Sequence, residues 1–254
     1  MNAERIALVV FACVYGGALL GMAIRSWLPE HHVTGDARDV MKLGIGLIAT
    51  TTALVLGLLT ASAKSAFDTE NAEIRASGAN LVVLDRTLAQ FGPEAAPIRT
   101  QLKQAVGRRV ELTWPASDRE PVRMDSAELQ HGGEVIEQSI RALQPANDTQ
   151  RALQQKAIAV TSDLLKSRWL VMGQAAGSTI PVPFLVVVVF WLSVIFACFA
   201  VLAPANRTLA AVLGLSALSV AAAVFLILEM DHPFNGLIRV SGEPLRYALS
   251  QIGG

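Results

Sequence analysis

The chain has 254 residues, of which 52% are hydrophobic and 17% charged, and its formal net charge at pH 7 is zero. An ordinary soluble domain carries about 25% charged residues, so this composition argues against a soluble globular protein. Zero net charge without a basic stripe argues against nucleic-acid binding. Cys13 and Cys198 lie within apolar segments, which indicates neither a disulfide framework nor a metal site.

Four blocks of the sequence hold the surplus of apolar residues: Ile6–Trp27, Leu43–Ala63, Pro183–Ala203 and Leu209–Met230. Each is near the roughly 20 residues that a helix needs to cross about 30 Å of hydrocarbon. A helix also satisfies its own backbone hydrogen bonds, which lipid cannot do for it. Helices of a soluble core would need polar residues at helical period, which these blocks lack. The first block is longer than the roughly 7–15 apolar residues of a signal peptide, so we predict four transmembrane helices.

The connection Glu30–Asp39 between the first two predicted spans is short and polar, which predicts an antiparallel hairpin. No proline follows the second span before Pro93, and apolar residues continue at spacings of three, four and seven as far as Phe91. Such a stripe is typical of one amphipathic helix. We therefore predict a nearly continuous helix from Val40 to Phe91 that leaves the bilayer.

Turn residues delimit three further helices in the central part of the chain. They open after Pro93, at Asp125 and near Asn147, and each ends before another proline. The predicted fold is an all-α integral membrane protein with four transmembrane helices in two hairpins and an inserted cytoplasmic helical bundle. Its predicted domains are a hairpin at 1–63, the bundle at 64–178, a second hairpin at 179–230 and a tail at 231–254.

Lysine and arginine near the membrane ends predict the orientation, because they are enriched on the cytoplasmic side. The side with both termini and the bundle has Arg5, Lys64, Arg75, Lys156, Lys166, Arg168, Arg239 and Arg246, whereas the other side has Arg25, Arg38, Lys42 and Arg207. We predict that both termini and the bundle are cytoplasmic, with Glu30–Asp39 and Pro204–Arg207 outside.

The sequence has no recognisable catalytic or cofactor motif. None of the four histidines has a partner at a metal-ligand spacing such as H-x-x-x-H. His31 and His32, in a loop with acidic residues, could hold a metal, but a solvated loop is the simpler interpretation. Gly132-Gly133 follows no predicted strand and precedes no Lys-Ser or Lys-Thr, which excludes a phosphate-binding loop. We therefore predict no enzyme activity, no metal and no cofactor.

Small and weakly polar residues of the second span recur at spacings of four and three, which places them on one helical face. This small face consists of Gly46, Thr50, Ala53, Gly57, Thr60 and Lys64. Small faces allow helices to approach closely, which is their commoner use. The same residues could instead line a narrow conduit for ions. A similar face in span four, with Ala210, Gly214, Ala217 and Ala221, predicts packing against a neighbouring helix.

The end of span four forms a second candidate feature, the carboxyl junction of Glu229, Asp231, Pro233, Phe234 and Gly236. The helix dipole disfavours two carboxylates at a helix carboxyl end, so we expect a cation such as Arg239 to pair with one of them. The Pro-Phe-x-Gly turn predicts a structural junction, in which the ring of Phe234 packs against the bundle or the membrane-proximal helices.

The run from Asp231 to Ser241, followed by Glu243-Pro244-Leu245, resembles the carboxyl-terminal hallmark of the bestrophin-like family of bacterial membrane proteins, as does Glu70–Ile74 after span two. Bestrophins are pentameric ion channels with four spans, cytoplasmic termini and a Pro-Phe-Gly segment after the fourth span. Pro233, Phe234 and Gly236 match that segment, with Asn235 inserted. The acidic calcium-binding cluster of animal bestrophins has no counterpart after Gly236, which argues against calcium gating.

This resemblance implies a multimeric ion channel of the bacterial inner membrane, in contact with lipid and assembled as a homo-oligomer, by likeness a pentamer. The small face then supplies the candidate pore-lining residues. A non-conducting scaffold, whose cytoplasmic bundle binds a protein partner, is the alternative. The scaffold hypothesis predicts that a neighbouring helix of the same subunit covers the small face.

Overall fold

A computed structural model describes residues 3–27, 35–115, 127–175, 181–204, 206–231, 234 and 236–253. The described part of the chain is all-helical, in agreement with the predicted fold class. Its helices are α1 (Ala3–Trp27), α2 (Gly35–Phe91), α3 (Ala96–Thr113), α4 (Ala127–Arg141), α5 (Asp148–Ala175), α6 (Val182–Leu202), α7 (Arg207–Met230) and α8 (Glu243–Gln251), with a short 3-10 helix at Pro93–Ala95.

Four of these helices, α1, α2, α6 and α7, are long and apolar enough to cross a membrane by length and composition. Large apolar side chains on them are exposed, among them Leu20, Phe190 and Leu215. Lipid tails can cover such side chains at no cost, whereas water cannot. The four predicted spans are thus confirmed as four membrane-length helices, and their pairing into two hairpins stays a prediction.

Helix α2 runs without a break from Gly35 to Phe91, so the prediction of a nearly continuous helix from Val40 to Phe91 is confirmed. Gly92 follows the last residue of the helix, and its φ of 132° favours glycine. The side chain of Gln150 donates a hydrogen bond of 2.8 Å to the carbonyl of Phe91 at this end. A side-chain donor thus satisfies one carbonyl that the terminated helix leaves without a partner.

The chain divides into two compact units. The membrane unit comprises Met1–Ala66 and Thr179–Asp231, and the helical unit comprises Phe67–Ser178 and His232–Gly254. The division of the sequence into four predicted domains stays a prediction.

In the membrane unit, α1 packs against α6 through two glycines one helical turn apart. A β-carbon on Gly17 would lie 2.7 Å from the carbonyl oxygen of Ser193, and one on Gly21 would collide with the carbonyl oxygen of Ala197. Two helix backbones therefore meet where only glycine fits. The Gly-x-x-x-Gly spacing of Gly17 and Gly21 is the sequence signal for this contact, which was not predicted.

Helix α7 packs into the same core through its face of small residues, as the sequence predicts. Ala217 and Ala221 are buried, and Gly214 lies against the ring of Tyr15 on α1. The prediction that this face packs against a neighbouring helix is confirmed. Asn206 caps the start of α7, since its side-chain oxygen accepts a 2.7 Å hydrogen bond from the backbone of Leu209.

The helical unit has an apolar core that includes Ile74, Leu84 and Leu88 of α2 together with Leu102 of α3. A bidentate ion pair links the same two helices, with Arg99 donating to the two carboxylate oxygens of Asp85 over 2.8 and 2.9 Å. The hydrogen bond to Asp85 raises the pKa of Arg99. Because Asp85 is almost fully buried, its charge requires this partner.

Candidate pore-lining face and carboxyl junction

The first part of α2 presents three faces in the membrane unit. Its packing face consists of the buried residues Ile45, Thr52, Leu59 and Ala63, three of which belong to the apolar core of the unit. At about 100° per residue, the small face lies roughly 115° around the helix from the packing face. A leucine face, made of Leu43, Leu47, Leu54 and Leu58, lies about 90° further round.

All six residues of the small face are exposed in the single chain: Gly46, Thr50, Ala53, Gly57, Thr60 and Lys64. A β-carbon on Gly46 or Gly57 would meet no atom within 4 Å. The predicted residues thus lie together on one side of α2, and the residues that the structure describes leave that side uncovered. Their role as pore-lining residues stays a prediction.

The threonine hydroxyls of the small face donate along their own helix. Thr50 donates to the carbonyl of Gly46 over 2.8 Å, and Thr60 donates to the carbonyl of Leu56 over 2.7 Å. Each hydroxyl oxygen is exposed and can still accept a hydrogen bond. An exposed acceptor of this kind can bind a water molecule of a hydrated ion or replace it.

The leucine face is equally exposed, with 72% of Leu47 and 74% of Leu54 accessible. Leucine side chains suit lipid tails or an apolar constriction, whereas small side chains suit close helix approach or a water-filled passage. The two exposed faces of α2 therefore differ in chemistry and can be tested separately.

The residues of the carboxyl junction fall in both units. Glu229 and Asp231, at the end of α7 in the membrane unit, are 6% and 9% exposed. Pairing of either carboxylate with a cation stays a prediction. Pro233 lies outside the described residues. Gly236 has a φ of 103°, a left-handed conformation that favours glycine, and its carbonyl accepts a hydrogen bond from the side chain of Arg239.

Phe234 is 5% exposed and belongs to the core of the helical unit. Its ring meets that of Trp114 edge to face, with 6.1 Å between the ring centroids. The indole nitrogen of Trp114 in turn donates a 2.8 Å hydrogen bond to the carbonyl of Val240. The ring of Phe234 thus packs in the bundle as its sequence context suggests.

The segment after Phe234 is more ordered than the predicted tail, because it contains α8. Leu245, Ala248 and Ile252 are buried in the core of the helical unit. A β-carbon on Gly78 of α2 would lie 2.7 Å from the carbonyl oxygen of Pro244, so the segment packs tightly on the bundle. The spacing of these apolar residues is the sequence signal for α8, a helix that was not predicted.

Replacing Phe234 with alanine should lower the stability of the helical unit by about 3–5 kcal/mol, because a buried ring is lost from a packed core. Thermal unfolding of the purified protein in detergent, followed by circular dichroism, measures this effect. Leu237→Ala is the matched control, since Leu237 is 79% exposed. Equal melting temperatures for Phe234→Ala and the unchanged chain would contradict a structural role for the ring.

Within the described part of the chain, no group of three or more His, Cys, Asp or Glu residues could hold a metal ion. His31 and His32, the pair for which the sequence leaves a metal open, lie outside the described residues. The small face of α2 and the carboxyl junction stay the candidate functional features.

Comparison with known proteins supplies the family. The model of the Bestrophin-like domain matches residues 12–245. A search of curated proteins finds no match. Among solved structures, a point mutant of a bacterial bestrophin homologue from Klebsiella pneumoniae is similar over 97% of this chain and 99% of that chain, with a TM-score of 0.65 and 13% sequence identity. At this identity the likeness shows the fold.

Four helices long and apolar enough to cross a membrane, in a bestrophin-type fold, define the class as that of a membrane protein with this fold. Because the family model matches most of its length, the chain belongs to the bestrophin-like family. Bestrophins are channels rather than enzymes, which agrees at the level of the family with the prediction of no enzyme activity.

Proposed function

We propose that the chain assembles as a homo-oligomer in the bacterial inner membrane and conducts ions along an axis lined by the small face of α2. The exposure of that face carries the proposal. In the single chain, none of the described helices covers its six residues. The packing face of the same helix is buried. A pentamer is the subunit number that the likeness to bestrophins favours.

The chemistry of the small face supports a conduit. Glycine and alanine leave room beside the helix, and the two threonine oxygens offer acceptors to a hydrated ion. The exposed leucine face supports contact with lipid on another side of α2. Exposure of the small face favours the channel over the scaffold, because the scaffold hypothesis requires a helix of the same subunit to cover it.

Lys64 is exposed at the inner end of the small face, and we propose that it biases the conduit toward anions through its positive potential. Purified protein in planar bilayers under a salt gradient tests this proposal. For the unchanged chain, the reversal potential should lie toward the equilibrium potential of chloride, and Lys64→Glu should move it toward that of the cation.

Lys156→Glu, a charge reversal at an exposed position of α5 outside the small face, is the control and should leave the reversal potential unchanged. A reconstituted oligomer that passes no ion over a wide range of voltage and pH would favour the scaffold with a cytoplasmic protein partner. A protein that is a monomer in nanodiscs would rule out a conduit built from several copies of α2.

We also propose that both termini and the helical unit lie in the cytoplasm, on the evidence of the lysine and arginine bias. In a chain with Cys13→Ala and Cys198→Ala, a cysteine placed at Gly35 should react with a membrane-impermeant maleimide in intact cells. A cysteine placed at Ser139 should react only after the cells are opened. The reverse pattern would show that the proposed orientation is wrong.

A further inference from the structure

The helical unit contains a cavity of about 670 Å³ between α2, α3, α4 and α5. Its wall is mainly apolar, with leucine, valine, isoleucine and alanine side chains from all four helices. Gly132 and Gly133 of α4 form part of the wall, and a β-carbon on Gly133 would lie 2.7 Å from the side chain of Leu165. This volume lies within the roughly 300–1,000 Å³ of small-molecule sites.

Three arginines line this mainly apolar cavity, Arg108 and Arg109 of α3 and Arg168 of α5, and Arg108 forms an ion pair with Glu111. Burial and the nearby positive charge of Arg168 lower the pKa of Arg109 to about 10. Burial also lowers the pKa of Arg168, against the opposing effect of the carboxylate of Glu134. Arg168 thus has the nearby carboxylate of Glu134, whereas the positive charge of Arg168 disfavours the charged form of Arg109, and a further anion beside Arg109 would offset that repulsion.

Arg109 differs from several other arginines of the helical unit, because those arginines form ion pairs within the unit. Arg99, Arg141 and Arg151 each form an ion pair with a carboxylate of the same unit. Among the described residues, Arg109 makes no hydrogen bond or ion pair, although it is partly buried. A guanidinium group carries five N–H donors, so this position has capacity for an external carboxylate or phosphate.

We propose that this cavity binds an amphiphilic anion, with a single apolar chain along the aliphatic wall and a carboxylate or phosphate headgroup on Arg109. The apolar lining provides the hydrophobic part of the affinity, and Arg109 provides the charge complement. The proposal is independent of whether the protein conducts ions.

A photoaffinity experiment on the full chain in phosphatidylcholine nanodiscs tests this site. The probe is dodecanoate with a diazirine near its methyl end, and mass spectrometry of the digested protein locates the label. We expect label on cavity-lining peptides of α3, α4 and α5, and competition by unlabelled dodecanoate and dodecyl phosphate. The relative strength of these two competitors distinguishes a carboxylate from a phosphate headgroup.

Two substitutions should each weaken cavity labelling by about tenfold or more. Arg109→Gln removes the charged group that donates to the headgroup. Loss of such a hydrogen bond is expected to weaken binding by about tenfold. Val135→Glu places a negative charge on the wall at a position that is 48% exposed, where the fold tolerates a polar side chain. The control Arg151→Gln removes a positive charge from an exposed ion pair outside the cavity and should leave labelling unchanged.

Undiminished cavity labelling in Arg109→Gln would overturn the proposal. Competition by dodecyltrimethylammonium as strong as that by dodecanoate would overturn it as well, because the charge of the headgroup would then be irrelevant. If inorganic phosphate competed as well as dodecyl phosphate, the apolar chain would contribute nothing, and the site would not be one for an amphiphile. Label confined to the membrane helices would show that the probe only partitions into lipid.

Discussion

Thr50→Phe is expected to abolish or greatly reduce the unitary current while the oligomer stays intact. In an assembly with α2 around the axis, every subunit would place an added ring in the conduit. Because Thr50 is exposed in the single chain, the larger side chain should not disturb the core of the membrane unit. Planar-bilayer recording measures the current, and size-exclusion chromatography with light scattering confirms the assembly.

Leu54→Phe is the matched control for this prediction, since Leu54 lies one turn along α2 on the leucine face and is also exposed. We expect this variant to conduct like the unchanged protein. If Leu54→Phe removed the current and Thr50→Phe did not, the leucine face would line the conduit, and the choice of face would be wrong. If neither substitution changed a measurable current, α2 would not line the pore.

Gly21→Ala is expected to prevent correct packing of the membrane unit, with little monodisperse protein recovered from the membrane. The added methyl group would collide with the backbone carbonyl of Ala197 on α6, so α1 and α6 would have to move apart. Overpacking of a well-packed core typically costs about 1–3 kcal/mol, and a clash with a backbone atom cannot be relieved by a change of rotamer. Fluorescence-detected size-exclusion chromatography of a tagged chain measures the yield.

Gly16→Ala is the matched control on the same helix, because a β-carbon at Gly16 would meet no atom within 4 Å. Both variants gain the same helix propensity, worth roughly 1 kcal/mol over glycine. We expect Gly16→Ala to be recovered at least as well as the unchanged protein. Equal recovery of both variants would mean that α1 and α6 do not meet this closely at Gly21.

The helices of this protein could be predicted from local sequence patterns. The four apolar blocks have the length that a bilayer requires, and this property needs no tertiary contact. The continuity of α2 followed from the apolar stripe as far as Phe91 and from the lack of a proline. The start of α5 was visible at Asn147, whose side chain accepts a 2.8 Å hydrogen bond from the backbone of Gln150.

Contacts between distant parts of the chain were not predictable in the same way. The approach of α1 to α6 at Gly21 depends on a neighbour more than 170 positions along the chain. The helix α8 is short, and its stability comes from burial of Leu245 and Ile252 in a core formed by other helices. The cavity at Arg109 and Arg168 exists only because four helices pack around it.

The small face of α2 depends both on the local sequence pattern and on tertiary contacts. Helical periodicity alone places Gly46, Thr50, Ala53, Gly57, Thr60 and Lys64 on one side of α2, since residues three and four apart share a face. Periodicity cannot decide whether a neighbouring helix covers that side, because this depends on which other face of α2 has the better packing partner. In the tertiary structure, Ile45, Leu59 and Ala63 occupy the core, and the small face remains exposed.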